Sequence, residues 1–452
     1  MKTMVDLGLL AGYSKPGPRY TSYPPANMFE NGVGGELYSG SLSNCKRDLS
    51  IYVHLPFCER ACSFCGCNVI YTRNHAHVAP YLKLLENEIK LVSASLPAGK
   101  EVRQIHLGGG TPTFLSSFEI VYLLELLDDS FQISPDAEMS VELDPRVTSK
   151  AHIQALASCG FSRASIGIQD IDDRVQKAVN RVQSPLLIEE TVRVLRAMGF
   201  TSLNVDLIYG LPFQSKESIQ RTIEFVINIL PQRISCFNFA YIPSLKAHQR
   251  SIRPETLPSA TERLEILQYV IERLTDAGYD FIGMDHFALK GDALARAREE
   301  GTLHRNFQGY TTHGDLDLIG LGVSSISEVA DAYFQNYKTM DQYKLAIESG
   351  RLATERGHVL SVDDRIRRDV IMKLMCYGDL NFAEIEQAYS IQFKQYFEKE
   401  LNHLAAFEPE GAVRLRTDGI SLSEAGQFVV RNVCMIFDAY TNSSSPAFSP
   451  TV

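Results

Sequence analysis

Short β-rich runs alternate with longer segments of helical period between about residues 49 and 288. This alternation is typical of βα units around a parallel sheet. Strands are predicted at 50–55, 102–107, 139–143, 164–168, 202–208, 234–240 and 281–284. Their spacing, mostly about thirty to fifty residues, favours an α/β fold built as a partial (β/α) barrel, with the chemistry on the loops that follow the strands.

Several intervening helices carry recognisable end signals. Ser116 and Ser259 are each followed three residues later by glutamate, which is the spacing of a capping box. Ser184, followed by proline, marks another helix start, and Gly199 marks the end of that helix.

The strand pattern fades beyond about residue 340. The segments 363–376 and 382–397 are predicted to be helical, and 413–422 to form a hairpin through Asp418 and Gly419. We therefore predict three parts: an N-terminal arm (1–47), a partial-barrel domain (48–340) and a small, mainly helical C-terminal domain (341–452), with a disordered tail at 443–450.

The charge balance excludes some partners. With 44 Lys and Arg against 54 Asp and Glu, the net charge of −10 gives no general attraction to nucleic acid or to anionic membrane. An anionic substrate would need a local basic pocket. The N-terminal segment lacks the apolar run of a signal peptide, and no later stretch reaches membrane-spanning length, so a cytoplasmic protein is expected.

Nine cysteines are present, and four of them cluster between residues 58 and 67. An odd count with one dense cluster argues against a secreted disulfide framework and favours metal. Cys58, Cys62 and Cys65 directly follow a predicted strand, and three closely spaced thiolates suit three irons of a 4Fe-4S cluster, leaving the fourth iron open. Zinc and ferredoxin patterns fit the spacing worse, although a structural zinc stays an alternative, and Cys67 stays unassigned.

Two weaker signals follow the second and third strands. Successive glycines, including Gly109 and Gly110 before Thr111, allow a ligand to approach the backbone closely, but a tight turn would explain them equally well. Glu142 could accept hydrogen bonds from a ribose, or it could be a turn carboxylate before Asp144.

Polar residues also lie at or after later strand ends. Gln169, Arg181 and Asp206 occupy positions that face the active side of a parallel barrel, although each alone could be a surface or capping residue. Arg181 could pair with a carboxylate and Asp206 could hold an amine or hydroxyl. His54, inside the first strand, reads as a buried histidine rather than a ligand.

The cysteine spacing, with Tyr52 six residues before Cys58 and Phe64 just before Cys65, resembles the radical S-adenosylmethionine (SAM) superfamily. The resemblance implies that the open iron binds the amino and carboxylate groups of SAM. One electron from the cluster would then release a 5′-deoxyadenosyl radical, which can abstract hydrogen from an unactivated C–H bond.

A narrower resemblance covers nearly the whole chain. The chain is similar to the oxygen-independent coproporphyrinogen III oxidases in the motifs at 17–24, 52–58, 62–67, 108–112, 205–212, 283–287 and 305–312. The resemblance implies two SAM molecules near one cluster. It implies that the cluster-bound SAM contacts Tyr52, Gly109, Glu142 and Ile326, and that the second contacts Phe64, Gly110, Thr111, Gln169, Arg181, Asp206 and Ala240.

The resemblance also implies a reaction. Two propionate side chains of coproporphyrinogen III would lose hydrogen and carbon dioxide and become vinyl groups, giving protoporphyrinogen IX for haem synthesis. A reductant protein would supply electrons, an unidentified acceptor would take the remaining electron, and the enzyme is expected to be a monomer. Because the substrate carries four carboxylates, basic side chains must line its pocket, with Arg19 and Arg305 as candidates.

Two other function classes stay open at this point. Some radical SAM relatives are haem-binding chaperones that do not oxidise coproporphyrinogen, and an electron-transfer iron-sulfur protein is a third possibility. Cys67, the motif beginning at Arg19 and the motif beginning at Arg305 favour the enzyme. Detection of 5′-deoxyadenosine made from SAM would exclude the electron-transfer protein.

Overall fold

The computed structural model describes residues 12–441 together with Phe448 and Thr451. Apart from Phe448, the tail predicted to be disordered (443–450) lies outside the described residues. The described strands are, in chain order, β1 (Glu30–Asn31), β2 (Leu49–Leu55), β3 (Phe57–Cys58), β4 (Ile70–Tyr71), β5 (Glu101–Gly109), β6 (Gln132–Leu143), β7 (Arg163–Gln169), β8 (Ser202–Tyr209), β9 (Arg233–Asn238), β10 (Tyr279–Gly283), β11 (His286–Leu289), β12 (His304–Asn306), β13 (Gly309–Thr311), β14 (Asp317–Leu321), β15 (Ile326–Val329), β16 (Ala332–Asn336), β17 (Thr354–Val359), β18 (Asp379–Asn381), β19 (Val413–Leu415) and β20 (Gly419–Leu422).

A thirteen-stranded sheet in the order β1-β17-β16-β15-β14-β2-β5-β6-β7-β8-β9-β11-β10 forms the main body. The strands from β14 to β9 in this order pair in parallel, and antiparallel strands extend the sheet at both ends. The terminal strands β1 and β10 do not pair with each other, so the sheet is an open barrel. The predicted partial (β/α) barrel is confirmed.

Helices cover the outer face of this sheet and build the C-terminal part. They are α1 (Gly35–Ser43), α2 (Val78–Ser95), α3 (Ser117–Ser130), α4 (Lys150–Ser158), α5 (Asp173–Ala178), α6 (Pro185–Ala197), α7 (Lys216–Ile229), α8 (Ala260–Asp276), α9 (Ala293–Glu300), α10 (Met340–Glu348), α11 (Val362–Tyr377), α12 (Phe382–Tyr389), α13 (Phe393–Tyr396), α14 (Glu398–Leu404), α15 (Glu424–Phe428) and α16 (Val430–Cys434). Among the described residues, no helix combines the length and the apolar character needed to cross a membrane.

The predicted helix ends are confirmed. Ser116 and Ser259 each accept a hydrogen bond from the backbone of the glutamate three residues later, and both reciprocal capping boxes are complete. Ser184 caps α6, whose first residue is Pro185, and Gly199 follows the helix with φ of 92°. These caps satisfy backbone donors that a helix leaves unpaired, and so they fix where each helix starts.

The two faces of the central strands differ in chemistry. In β5, Ile105 and Leu107 are fully buried in the main core, whereas Gln104 and His106 alternate with them and face a cavity on the inner side of the sheet. Side chains in a strand point alternately to opposite faces, so one strand serves both the core and the cavity. The inner face of the open barrel is therefore polar and lines the site.

Most strand predictions agree with the structure, and the last differs in its pairing, because β11 lies between β9 and β10 and is antiparallel to both. The first five predicted strands lie within β2, β5, β6, β7 and β8, and the sixth overlaps β9, which ends at Asn238. The seventh overlaps β10 but does not continue the parallel series, because β10 forms a hairpin with β11 through Met284 and Asp285. So short a connection joins only antiparallel neighbours, since parallel strands need a long crossover.

The C-terminal predictions were partly right. The predicted helix at 363–376 is α11, and the predicted hairpin is the antiparallel pair β19 and β20. The prediction of one helix over 382–397 is wrong, because α12 ends at Tyr389 and the next residue, Ser390, adopts a left-handed conformation with φ of 54°. A new helix, α13, begins only at Phe393.

The three predicted parts contact one another closely. Tyr20 and Tyr23 of the N-terminal arm are almost fully buried in the core of the C-terminal part. Strand β17 follows residue 340 but belongs to the main sheet. The domain boundary at 340/341 stays a prediction, and the position of β17 favours moving it to about residue 360.

Candidate active site

A cavity of about 750 Å³ lies on the inner face of the sheet, beneath the loop that carries the clustered cysteines. Polar side chains from β5 to β9 form its floor, and residues after the strand ends form its upper wall. The residues predicted for the site that line this cavity are Cys58, Cys62, Phe64, Cys65, Gly109, Gly110, Thr111, Glu142, Gln169, Arg181 and Asp206.

The cysteine loop is held at several points by backbone hydrogen bonds. The backbone N–H of Ser63 donates to the Val179 carbonyl at 2.9 Å, and the Asn180 side chain donates to the Ala61 carbonyl at 2.7 Å. The backbone N–H of Cys65 closes a turn onto the Cys62 carbonyl. These contacts bring the segment that follows β7 against the cysteine loop.

Polar and cationic side chains contact two of the clustered thiols, although burial raises the pKa of Cys58 to about 11. Arg146 Nη2 and Arg181 Nη1 donate to Cys62 Sγ at 3.4 and 3.7 Å, and the Thr111 hydroxyl lies 3.3 Å from Cys58 Sγ. Nearby cations stabilise thiolates, which are the usual ligands of iron-sulfur clusters. No three His, Cys, Asp or Glu side chains in the described part of the chain converge closely enough to hold a single metal ion, whereas a cubane takes each thiolate on a different iron. The donor set fits a cluster with three cysteine ligands.

Cys67 lies beside Cys65 and lines the same cavity. Their side chains share a hydrogen bond, which lowers the pKa of Cys65 to about 6 against the opposing effect of burial, and which raises the pKa of Cys67. The protonation states of the two thiols are therefore linked by this hydrogen bond.

The glycine run packs against the strand that leads into the cysteine loop. Gly110 N–H donates to the Leu55 carbonyl at 2.8 Å, and a Cβ added at Gly110 would lie 2.7 Å from the backbone carbonyl carbon of Pro56. Gly109 has φ of 112°, a conformation that favours glycine. Close backbone packing at Gly110 and the backbone conformation of Gly109 therefore explain why glycine occupies these two positions.

Glu142 projects into the cavity with 44% of its side chain exposed. Its carboxylate accepts from the Gly109 N–H at 3.2 Å and lies 3.4 Å from His106 Nε2. Burial raises the pKa of Glu142, but these partners outweigh it, and the pKa is lowered. The carboxylate is ionised and keeps room for further donors.

Arg181 is 8% exposed and already has a carboxylate partner. Its Nη1 donates to Asp144 Oδ2 at 3.1 Å and its Nη2 to the Gly167 carbonyl at 2.6 Å. Arg146 Nη2 donates to the same Asp144 oxygen at 2.6 Å. Sequence analysis named Asp144 only as part of a turn and missed Arg146, and the Asp-Pro-Arg run at 144–146 after the third strand was the available signal.

Asp206 lies on the cavity floor and is hydrogen-bonded by its neighbours. Its two carboxylate oxygens accept from the Ser165 hydroxyl and from the Asn204 amide, each at 2.8 Å. Burial, together with the negative charge of Glu142, raises the pKa of Asp206 to about 6. Gln169, at the end of β7, has φ of 68° and also faces the cavity.

Three of the predicted residues are not part of the cavity wall that the described chain forms: Tyr52, Ala240 and Ile326. The Tyr52 ring stacks on His106 at 5.8 Å, and its hydroxyl lies 3.0 Å from His54 Nδ1. The Ala240 carbonyl accepts from the Gln249 amide at 2.9 Å. The prediction that His54 is a buried histidine is confirmed, since its Nε2 lies 2.9 Å from the Asn68 carbonyl.

Sequence analysis missed most of the polar floor of the cavity. The ion pair of Arg163 with Glu138, at 2.9 Å, lies on this floor, and Arg233, also on the floor, pairs at 2.9 Å with Asp292 outside the cavity lining. The sequence feature that could have predicted this floor is the alternation of polar and apolar residues inside the predicted strands. In a sheet with helices on one face, the polar set must face the other side.

Comparison with known proteins adds independent findings. Residues 52–226 match the family model described as the radical SAM superfamily, and residues 360–429 match the HemN C-terminal domain. The chain is 46% identical over 436 residues to the oxygen-independent coproporphyrinogen III oxidase of Escherichia coli (strain K12), covering 96% of this chain and 95% of the relative. The corresponding protein of Helicobacter pylori (strain ATCC 700392 / 26695) is 42% identical, and the match covers 99% of each chain.

A solved structure agrees with these relatives. The structure of coproporphyrinogen III oxidase (HemN) from Escherichia coli, described as a radical SAM enzyme, matches with a TM-score of 0.92 and 45% identity. The match covers 96% of this chain and 99% of the solved chain. The agreement extends over the barrel, the antiparallel extensions and the C-terminal part.

Proposed function

The chain belongs to the family of oxygen-independent coproporphyrinogen III oxidases, and from this premise we propose how its own residues carry out that reaction. The enzyme uses a 4Fe-4S cluster and SAM to convert coproporphyrinogen III to protoporphyrinogen IX in haem biosynthesis. The cysteine loop above a closed-in polar cavity is the observation that carries the proposal.

Cys58, Cys62 and Cys65 would hold the cluster. When bound, the cluster and SAM supply the 5′-deoxyadenosyl radical that abstracts a hydrogen atom from the β-carbon of a propionate. The role of Arg146 and Arg181 is to orient Cys62, because both donate to its sulfur.

The inner face of the sheet would bind the two SAM molecules. Glu142, ionised and exposed to the cavity, is suited to hold ribose hydroxyls of the cluster-bound SAM, with Tyr52, Gly109 and Ile326 as the other contacts implied by the family. The second SAM would contact Phe64, Gly110, Thr111, Gln169, Arg181, Asp206 and Ala240. Arg181 already donates to Asp144. A SAM carboxylate would therefore bind Arg181 as a further acceptor beside Asp144.

A reductant protein is proposed as the electron donor, with an unidentified acceptor for the remaining electron. We further propose a monomeric cytoplasmic enzyme without nucleic-acid or membrane partners. The haem-chaperone alternative is not favoured, since the chain matches the oxidases over nearly their whole length.

The test is an anaerobic assay with coproporphyrinogen III, SAM and a strong reductant. Substrate deuterated at the propionate β-carbon should yield protoporphyrinogen IX and deuterated 5′-deoxyadenosine. Conversion without deuterium transfer would contradict the radical step, and tight haem binding with SAM cleavage but no decarboxylation would support the chaperone.

The ligand assignment needs its own variants. Replacing Cys58, Cys62 or Cys65 with Ala should abolish the cluster, as measured by iron content and by the electron paramagnetic resonance signal of the reduced protein. Cys67→Ala is the matched control, since it removes a thiol from the same loop. Equal cluster loss in Cys67→Ala would overturn the assignment.

A further inference from the structure

A second group of arginines lies beside the cavity, where the N-terminal arm meets the sheet edge. Arg305 Nη2 donates to the Arg19 carbonyl at 3.3 Å, and Arg431 Nε donates to the Pro18 carbonyl at 2.9 Å. Asp285 pairs with Arg19. Burial and the charges of Arg431 and Arg305 lower the pKa of Arg19 to about 9, so these cations are close enough to repel one another.

Arg305 is the least satisfied member of this group. It is 3% exposed, and its Nε and Nη1 have no hydrogen-bond partner among the residues that the structure describes. Its guanidinium lies 4.7 Å from the centre of the Tyr310 ring, a contact that strands β12 and β13 set by pairing the two residues directly. A cation over a ring is only partly compensated for its lost hydration, and a buried arginine normally has an anionic partner.

Aromatic side chains of the cavity wall lie between the cavity and these arginines. Phe237, His286 and Tyr310 line the cavity. The Arg19 guanidinium lies 5.4 Å from the Phe237 ring centre, and the His286 and Tyr310 rings lie 5.2 Å apart. Neither arginine lines the cavity, and Arg19, with 32% of its side chain exposed, is more accessible than Arg305, which is 3% exposed.

We propose that Arg305, together with Arg19, forms a carboxylate-binding site that takes one propionate side chain of the tetrapyrrole substrate. The inference rests on the proposed function, because it names the group of the substrate that the arginines beside the cavity would recognise. A carboxylate would supply acceptors for the unpaired donors of Arg305 and would offset positive charge that Asp285, already paired with Arg19, only partly balances.

The experiment compares coproporphyrin III, the stable oxidised form of the substrate, with its tetramethyl ester, which keeps the ring and loses the carboxylates. Binding to the anaerobic holoenzyme is followed by titration of the porphyrin absorbance, and KM and kcat are measured with coproporphyrinogen III. The variants are Arg305→Met, which removes the charge, and Arg305→Lys, which keeps a buried cation and the fold. Arg193→Met, an exposed arginine paired with Glu190, is the control.

The wild type and Arg193→Met should bind the free acid more tightly than the ester. Arg305→Met should weaken acid binding and raise KM by about tenfold or more, with ester binding unchanged, and Arg305→Lys should show a smaller loss. An acid-over-ester preference that is the same in wild type, Arg305→Met and Arg305→Lys would overturn the site.

The two proposals fail in different ways. If the wild type does not convert coproporphyrinogen III, the proposed function is wrong, but the comparison of acid with ester still decides whether Arg305 binds carboxylate. If Arg305→Met does not fold, as judged by circular dichroism, the acid-over-ester preference of Arg305→Lys decides whether Arg305 binds carboxylate.

Discussion

Arg181 Nη1 donates to Asp144 Oδ2 at 3.1 Å, although 37 positions separate the two residues in the chain. The same carboxylate oxygen accepts from Arg146, and both guanidinium groups reach Cys62 Sγ. Asp144 therefore orients the two cations that stabilise a cluster ligand. It is a positioning residue, because it acts on the thiolate only through the arginines.

Replacing Asp144 with Asn should uncouple this network. The amide keeps the size of the side chain but loses the charge, so two buried arginines lose their anionic partner. We expect a loss of roughly 2 to 3 kcal/mol in the free energy of unfolding, measured by urea denaturation of the cluster-free protein. The cluster of the reconstituted variant should also show an altered reduction potential.

Asp173→Asn is the control for that variant, since Asp173 forms an exposed ion pair with Lys177. Exposed pairs contribute little, so its stability should stay within about 0.5 kcal/mol of wild type. A potential that is unchanged in Asp144→Asn would show that Asp144 supports the fold and not the cluster ligand.

Gly110→Ala should damage the cysteine loop by overpacking. The added Cβ would lie 2.7 Å from the Pro56 carbonyl carbon and 2.8 Å from the Phe57 carbonyl oxygen, and neither backbone group can move aside easily. We expect a destabilisation of about 1 to 3 kcal/mol and a lower iron content after reconstitution. Gly66→Ala is the matched control within the cysteine motif, because nothing lies within 4 Å of its added Cβ. Equal iron content in both variants would contradict this view of the glycine run.

The central barrel could be predicted from sequence because its strands are continuous β-rich runs separated by helices. The antiparallel additions were harder. Strands β14 to β17 fall in a region where the analysis predicted no strand, and they reach the sheet by pairing beside β2, which lies far earlier in the chain. No local periodicity records which strands become neighbours, so the edge of the sheet and the insertion of β11 between β9 and β10 came only from the structure.

The candidate site was likewise predictable from sequence only in part. Cys58, Cys62 and Cys65 are recognisable because the spacing itself reflects the chemistry of the cluster. The pairing of Asp144 with Arg181 depends on the order of β6 and β7 in the sheet, and the isolated residues carry no sign of it. Arg305 was identified as a candidate from a motif, but its unpaired donors are visible only after folding.

Glu142→Ala should weaken binding of the cluster-bound SAM while leaving the fold intact. The carboxylate is ionised and open to the cavity, and losing a charge-assisted hydrogen bond costs roughly 1.5 to 3 kcal/mol, or about tenfold to a hundredfold in affinity. Equilibrium dialysis of SAM with the reconstituted protein measures the effect. Glu59→Ala, an exposed carboxylate at the same cavity, should bind SAM as the wild type does. Unchanged SAM affinity in Glu142→Ala would return Glu142 to a turn role.

Asp206 should give the cluster-free protein a stability that falls as pH rises toward neutrality. Its pKa is about 6 in the folded protein, against an ordinary value of 3.8, because burial and the charge of Glu142 disfavour ionisation. A group with a raised folded pKa stabilises the protein below its unfolded pKa, and that contribution is lost as pH rises through the folded pKa.

Asp206→Asn cannot ionise and should not show this loss. The free energy of unfolding of Asp206→Asn, relative to wild type, should therefore increase between about pH 4 and pH 6, by roughly 1 to 3 kcal/mol, and stay constant above that range. Urea denaturation at several pH values measures this difference. A difference that does not depend on pH would show that Asp206 has an ordinary pKa in the folded protein.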